Sequence, residues 1–330
     1  MTTTYTPQMM LLLAYAAGQG DTQPYTHDCQ SATTSYNDIK AYLANPVDSC
    51  FGTDWSVVWG PAIFSFPVNL NGRHIDNTVF VARNGSTNDY VLSVAGTDPV
   101  SAADWILEDF LVATTVPWFL EISFEPRPRI SLGTFIGLSI LLNIVPPCDL
   151  PGNGMKLVKF LGTLTSQGPV NLYTTGHSLG GALAPSLTLA LDDLRLLWDL
   201  RRNATFYPFA FAGPTPGDAN FAAYFNQKFP QGLQRVWNAL DIVPHAWDTT
   251  QMNQLPTLYG QSVPAVADAV NLILPCIESI GYTQLNTQDA TFSGPQQNPV
   301  ITTLEQYFKE AAWQHVNAYY NWATADCPQS

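Results

Sequence analysis

The chain has 330 residues, 46% of them hydrophobic and only 12% charged, with a net charge of −13. That is apolar material enough for one large core, and about half the usual share of charge. The acidic balance argues against nucleic acid as a partner and against electrostatic attraction to anionic membranes, and it suits an uncharged substrate. The cysteines are Cys29, Cys50, Cys148, Cys276 and Cys327, with no C-x-x-C pair, so a structural zinc is not expected. No metal and no cofactor is expected elsewhere. The scarce Lys and abundant Thr, Asn, Gln and aromatics resemble a secreted composition. In that setting two disulfides and a free thiol would form, with Cys29–Cys50 the first pair to test; the alternative is a fully reduced set.

Met9 to Ala17 could serve as the apolar core of an export signal, but no Lys or Arg precedes it. Thr6-Pro7 reads instead as an N-cap followed by Pro at the first helical position, which predicts a first helix packed on the core. Residues 21 to 50 form a loop-rich lead-in. Trp55 to Val68 is apolar but broken by Gly60, Pro61 and Pro67, predicting short edge strands. Asn77 to Arg83 and Asp89 to Ala95 read as strands joined by a turn at Asn84-Gly85. A helix is predicted from Ser101 to Thr114. The aromatic, proline-rich residues 115 to 130 read as a surface segment suited to a lid. Ser131 to Val145 reads as a buried helix, with a lipid-contacting helix as the alternative, and is too short to span a bilayer.

Further helices are predicted from Met155 to Ser166 and from Leu179 to Trp198, with Pro185 a kink. Val170 to Thr175 and Ala204 to Ala212 read as core strands. A short helix at Ala219 to Phe229 and a strand at Leu233 to Leu240 follow. Residues 249 to 300 form a long insertion with one apolar helix near Val263 to Ile280, and a final helix covers Ile301 to Trp322. Alternating strands and helices predict an α/β fold, a mostly parallel central sheet with helices on both faces. We expect one domain over residues 1–330, with a candidate lid at 115–145 and the insertion at 249–300.

Gly176-His177-Ser178-Leu179-Gly180 fits G-x-S-x-G between a strand and a small-residue helix, the context of the α/β-hydrolase nucleophile elbow. Ser178 would sit on a strained turn, and side chains at Gly176 or Gly180 would collide with neighbouring elements. A serine nucleophile needs a base, and five histidines are available. In this fold the order is Ser, acid, His, which sets aside His27 and His74; His177 adjoins the nucleophile and points elsewhere. His315 is preferred to His245, which lies only four residues after Asp241. Asp241, at the end of the 233–240 strand, is the preferred acid. Asp218 is the second choice, since it resembles a helix N-cap. The oxyanion hole would use the backbone N–H of Leu179 and Thr97, which follows the 89–95 strand.

These residues together resemble the class 3, fungal-lipase-like, branch of the α/β-hydrolases. Val94-Ala95-Gly96-Thr97 with Asp104-Trp105 and Asp109, the elbow, Phe211 to Phe221, Val236 to Pro244, and His315 with Tyr319 match its motifs in order over roughly residues 75 to 320. Thr215-Pro216 departs from the usual Arg-Val, and Ser131 to Phe135 from the frequent H-x-G-F. The resemblance implies a serine carboxylester hydrolase with Ser178, Asp241 and His315 as triad and Thr97 and Leu179 at the oxyanion. A triacylglycerol lipase is the leading expectation. It would act on lipid or other ester substrates, with transient contact to a lipid interface and no protein partner. A lidless esterase on short or aromatic acyl esters, such as feruloyl esters, is the nearest alternative. A phospholipase, a serine peptidase and an inactive lipid-binding protein rank below.

Overall fold

The computed structural model describes residues 5–19, 29–45, 50–52, 54–66, 75–96, 110–120, 123–285, 288–325 and 327. Helix α1 (Pro7–Gly18) begins as the sequence predicts. The Thr6 hydroxyl accepts from Met9 N, and Pro7 occupies the first turn. Apolar nearly all round, α1 is buried against the sheet, and Ser93 Oγ and Thr175 Oγ1 donate to its Leu13 and Met10 carbonyls, each at 2.8 Å.

Strands β1 (Trp55–Phe66), β2 (Ile75–Asn84) and β3 (Asp89–Val94) pair antiparallel. β6 (Val170–Gly176), β7 (Ala204–Phe211), β8 (Gln234–Asn238) and β9 (Gln288–Phe292) continue from β3 in parallel. The order is β1-β2-β3-β6-β7-β8-β9, a mostly parallel sheet. Its side chains alternate between two cores. Val79, Val81, Leu92 and Val94 face the cluster with α4 (Leu157–Gln167) and α5 (Leu179–Asp193); Phe80, Ala82 and Val91 face the cluster with α1, α2 (Cys29–Ala44) and α11 (Asn317–Thr324). Helices thus cover both faces, which is an α/β-hydrolase architecture.

Several elements differ from the sequence expectation. The predicted short strands at 55–68 are one strand, β1, with register shifts on either side of Trp59 that accommodate Gly60-Pro61 at the sheet edge. The helix predicted at 101–114 lies outside the described residues except for a 3₁₀ turn at Phe110–Val112. In the 115–130 segment, strands β4 (Thr115–Pro117) and β5 (Arg129–Ser131) pair. Trp118 is buried in the core rather than on a surface, packs on Phe221, and donates its indole N–H to Asp193 Oδ2 at 2.8 Å. Helix α3 (Leu132–Asn143) buries Gly137, Leu138 and Leu141, with Gly137 seated on Leu183. No described helix is long and apolar enough to cross a membrane.

The elbow helix gives way after Asp193 to a short α6 (Arg195–Trp198), and α7 (Ala219–Lys228) follows β7. The insertion holds α8 (Thr249–Met252) and the expected apolar helix, α9 (Pro264–Ile277). It also holds β9, which the sequence reading missed. The final helix is two: α10 (Leu304–His315) and α11, broken at Val316.

Cys29–Cys50 does not form. Cys29 opens α2 and Cys50 lies beyond its other end, and 16 helical residues separate the two by about 24 Å, too far to bridge. Cys29 pairs with Cys148 and Cys50 with Cys327, with Cα separations of 5.7 and 5.6 Å, and Cys276 is a free, exposed thiol.

Candidate active site

Ser178 sits between β6 and α5 at φ 61°, ψ −129°, a conformation that non-glycine residues rarely adopt and that a tightly packed surround must enforce. Its N–H donates to Phe211 O at 3.0 Å and its carbonyl accepts from Gly181 N at 2.8 Å, so both sides of the turn are fixed. The close approach needs glycine. A Cβ on Gly180 would strike the Val94 carbonyl. A Cβ on Gly96, just after β3, would fall 2.7 Å from His177 O and 2.8 Å from Ser178 Cβ.

The structure brings Ser178, His315 and Asp241 into one hydrogen-bonded chain. His315 Nε2 is 2.8 Å from Ser178 Oγ, and His315 Nδ1 is 2.8 Å from Asp241 Oδ2. A carboxylate only accepts, so Nδ1 carries the proton and Nε2 of the neutral ring is free to accept from the serine hydroxyl. All three are buried, with Asp241 fully so. Asp241 follows β8, as the sequence reading places it, and its carboxylate accepts two hydrogen bonds besides that of His315. Oδ1 accepts from Val243 N at 3.0 Å, and Oδ2 also accepts from Tyr319 Oη at 3.0 Å. Burial and the neighbouring carboxylate push the Tyr319 phenol well above its ordinary range, which keeps it a donor. Tyr319 Oη in turn accepts from Asn238 N at 2.8 Å.

The second-choice residues have other partners. His245 Nδ1 donates to the Asp241 backbone carbonyl at 2.7 Å, bracing the acid's loop. Asp218 caps α7, accepting from Phe221 N at 2.8 Å. The Leu179 N–H, at the first turn of α5, lies 3.1 Å from a Cβ built on Gly96, so the end of β3 faces it. Thr97, the other expected oxyanion donor, is outside the described residues. The sequence reading named Tyr319 only as part of the His315 motif and expected His177 to point elsewhere; both contact the site. Four-residue spacing from His315 put Tyr319 one turn along a helix from it, which was the available signal. Among the described residues no cluster of His, Cys, Asp or Glu could hold a metal.

An elbow serine at the carboxyl ends of a mostly parallel sheet, followed later in the chain by Asp and then His, defines an α/β-hydrolase. Residues 154–250 match the family model "Lipase (class 3)". The chain is similar to the crystal structure of M37 lipase, with 29% identity, a TM-score of 0.86, and coverage of 99% of this chain and 96% of that one. Lipase II from Rhizopus niveus is a more distant likeness, at 19% identity and a TM-score of 0.47 over 75% of this chain and 78% of that one. Lip2 lipase from Yarrowia lipolytica is another, at 16% and 0.45 over 72% and 73%. No curated protein matches. The chain is thus similar to class 3 lipases over residues 154–250 and is a carboxylic ester hydrolase of lipase type.

Proposed function

We propose that Ser178, His315 and Asp241 act as a catalytic triad that hydrolyses acyl-glycerol esters. The observation that carries the reading is the continuous chain of two 2.8 Å hydrogen bonds from Ser178 through His315 to Asp241. As Ser178 Oγ bonds to the ester carbonyl carbon, His315 Nε2 takes its proton and Asp241 stabilises the imidazolium. The carbonyl oxygen becomes an oxyanion held by the Leu179 N–H and by Thr97. Collapse expels the alcohol, which takes the proton from His315 and leaves an acyl-enzyme. Water, deprotonated by His315, then releases the fatty acid and restores Ser178.

A triacylglycerol substrate draws its support from the apolar cover. Of the two candidate covers, the insertion carries the reading further. Beside the acid loop it contributes Met252, Leu255, Val266, Val270 and Tyr282 to an apolar cluster shared with Ile242, Val243 and Trp247, and Tyr282 Oη donates to Val112 O at 2.7 Å. The 115–131 segment, by contrast, is anchored in the core through Trp118. Ser178→Ala should abolish p-nitrophenyl ester hydrolysis with folding retained; full activity in that variant would sink the mechanism. Rates on butyrate, palmitate and an emulsified triglyceride test the substrate, and a preference for dissolved butyrate would favour an esterase.

A further inference from the structure

The elbow histidine has a partner that the triad does not require. His177 is buried, and its Nε2 lies 2.9 Å from the backbone carbonyl of His315, 138 residues away. A carbonyl only accepts, so Nε2 is the donor. Burial, reinforced by the His315 ring 4.8 Å away, holds the His177 imidazole well below its ordinary range, so the ring is neutral. The neighbouring carbonyl is held too: Tyr15 of α1 donates its hydroxyl to Val316 O at 3.2 Å while its ring packs 5.0 Å from that of His177. Burial raises the Tyr15 phenol well above its usual range, so it stays protonated.

Both contacts fall where the chain most needs them. His315 ends α10, and Val316, at φ −116° and ψ −65°, breaks the path before α11 starts. Carbonyls at a helix end lose intrahelical donors and take partners from elsewhere; Val316 O also accepts from Tyr320 N at 3.1 Å, while His315 O accepts from His177. The side chain that leaves this break must reach Ser178 on one side and Asp241 on the other, each at 2.8 Å.

We propose that His177, packed against Tyr15, is a positioning residue that fixes the backbone from which the His315 imidazole projects. The inference rests on the reading of His315 as the catalytic base. His177 donates one hydrogen bond to the His315 carbonyl and adds no second positive charge beside the imidazolium that forms during turnover. Displacing a catalytic group by about 1 Å costs on the order of a hundredfold in rate.

The test is steady-state hydrolysis of p-nitrophenyl butyrate, measured well below the melting temperature of every variant. His177→Leu should lower kcat by about 10- to 100-fold with KM little changed. His177→Gln, whose amide N–H can donate to the same carbonyl, should restore most of that loss. A kcat for His177→Leu within twofold of wild type, equal losses in the Leu and Gln variants, or a rise in KM alone would overturn the inference. Should His177→Leu fail to fold, His177→Phe carries the test. It keeps a ring against Tyr15 and removes only the donor to the His315 carbonyl, so a several-fold loss of kcat supports the proposal and wild-type kcat overturns it. His315→Ala separates the two levels: if it is inactive while His177→Leu is unimpaired, only the positioning role fails; if it is fully active, the triad reading itself fails.

Discussion

Replacing Asp241 by Asn tests the orientation of the base without emptying the site. The carboxylate is fully buried and accepts three hydrogen bonds: from His315 Nδ1 at 2.8 Å, Tyr319 Oη at 3.0 Å and Val243 N at 3.0 Å. An amide is nearly isosteric, but only one of its two ends accepts. The oxygen is needed at Val243 N, whose backbone donor cannot move away. The NH₂ then faces His315, which can pair with it only by presenting an unprotonated Nδ1. That tautomer carries its proton on Nε2, facing Ser178 Oγ, where it cannot take the serine proton. The expected loss in kcat is about 10³- to 10⁴-fold, or roughly 4–5.5 kcal/mol of transition-state stabilisation. KM should change little, because Asp241 lies behind His315. The assay is p-nitrophenyl butyrate kinetics alongside circular dichroism and thermal melts. A folded Asp241→Asn variant with kcat within about tenfold of wild type would refute the argument that Asp241 sets the tautomer.

Three further outcomes follow from buried polar groups and cross-links. His177 and His245 are both held below the ordinary imidazole range, chiefly by burial, so the unfolded chain binds more protons than the native one below about pH 6.5. Their contribution to stability is therefore present above that pH and is lost as pH falls; melts from pH 7.5 to 5 should show it, and the double variant His177→Gln/His245→Gln should flatten the slope. Glu310 is fully buried and accepts from Gln297 N and Asn298 N, at 3.0 and 3.1 Å, and from Gln314 Nε2 at 2.9 Å. Glu310→Gln turns one acceptor into a donor against those N–H groups and should cost about 2–3 kcal/mol in urea unfolding; an unchanged midpoint would contradict that loop anchor. The Cys29–Cys148 cross-link spans 119 residues, which in the chain-entropy model is worth about 4–5 kcal/mol. Reduction should lower the melting temperature, and thiol titration in denaturant should find Cys276 alone before reductant.

What the sequence revealed about this site divides along a physical line. The elbow was legible because its causes are local. Gly176 is required by the Gly180 carbonyl four residues on, and the G-x-S-x-G spacing marks the turn on which Ser178 takes its strained φ. Asp241 and His315 were legible through chain order and strand ends, and Asp218 through its capping position. β9 was not, since Gln288 to Phe292 is short and partly polar, and pairing with Arg235 to Asn238 of β8 makes it a strand. The break at Val316 was equally hidden, because the apolar pattern runs through it from α10 into α11. Beside the local Tyr320 N–H, the carbonyls of Val316 and His315 accept from Tyr15 and His177, 301 and 138 residues away. No window of sequence contains both halves of such a contact. The nucleophile is therefore announced by its own stretch of chain, and the base is held by its neighbours in space. Substitutions distant in sequence, on α1 above all, should reach the chemistry through His315 rather than through Ser178.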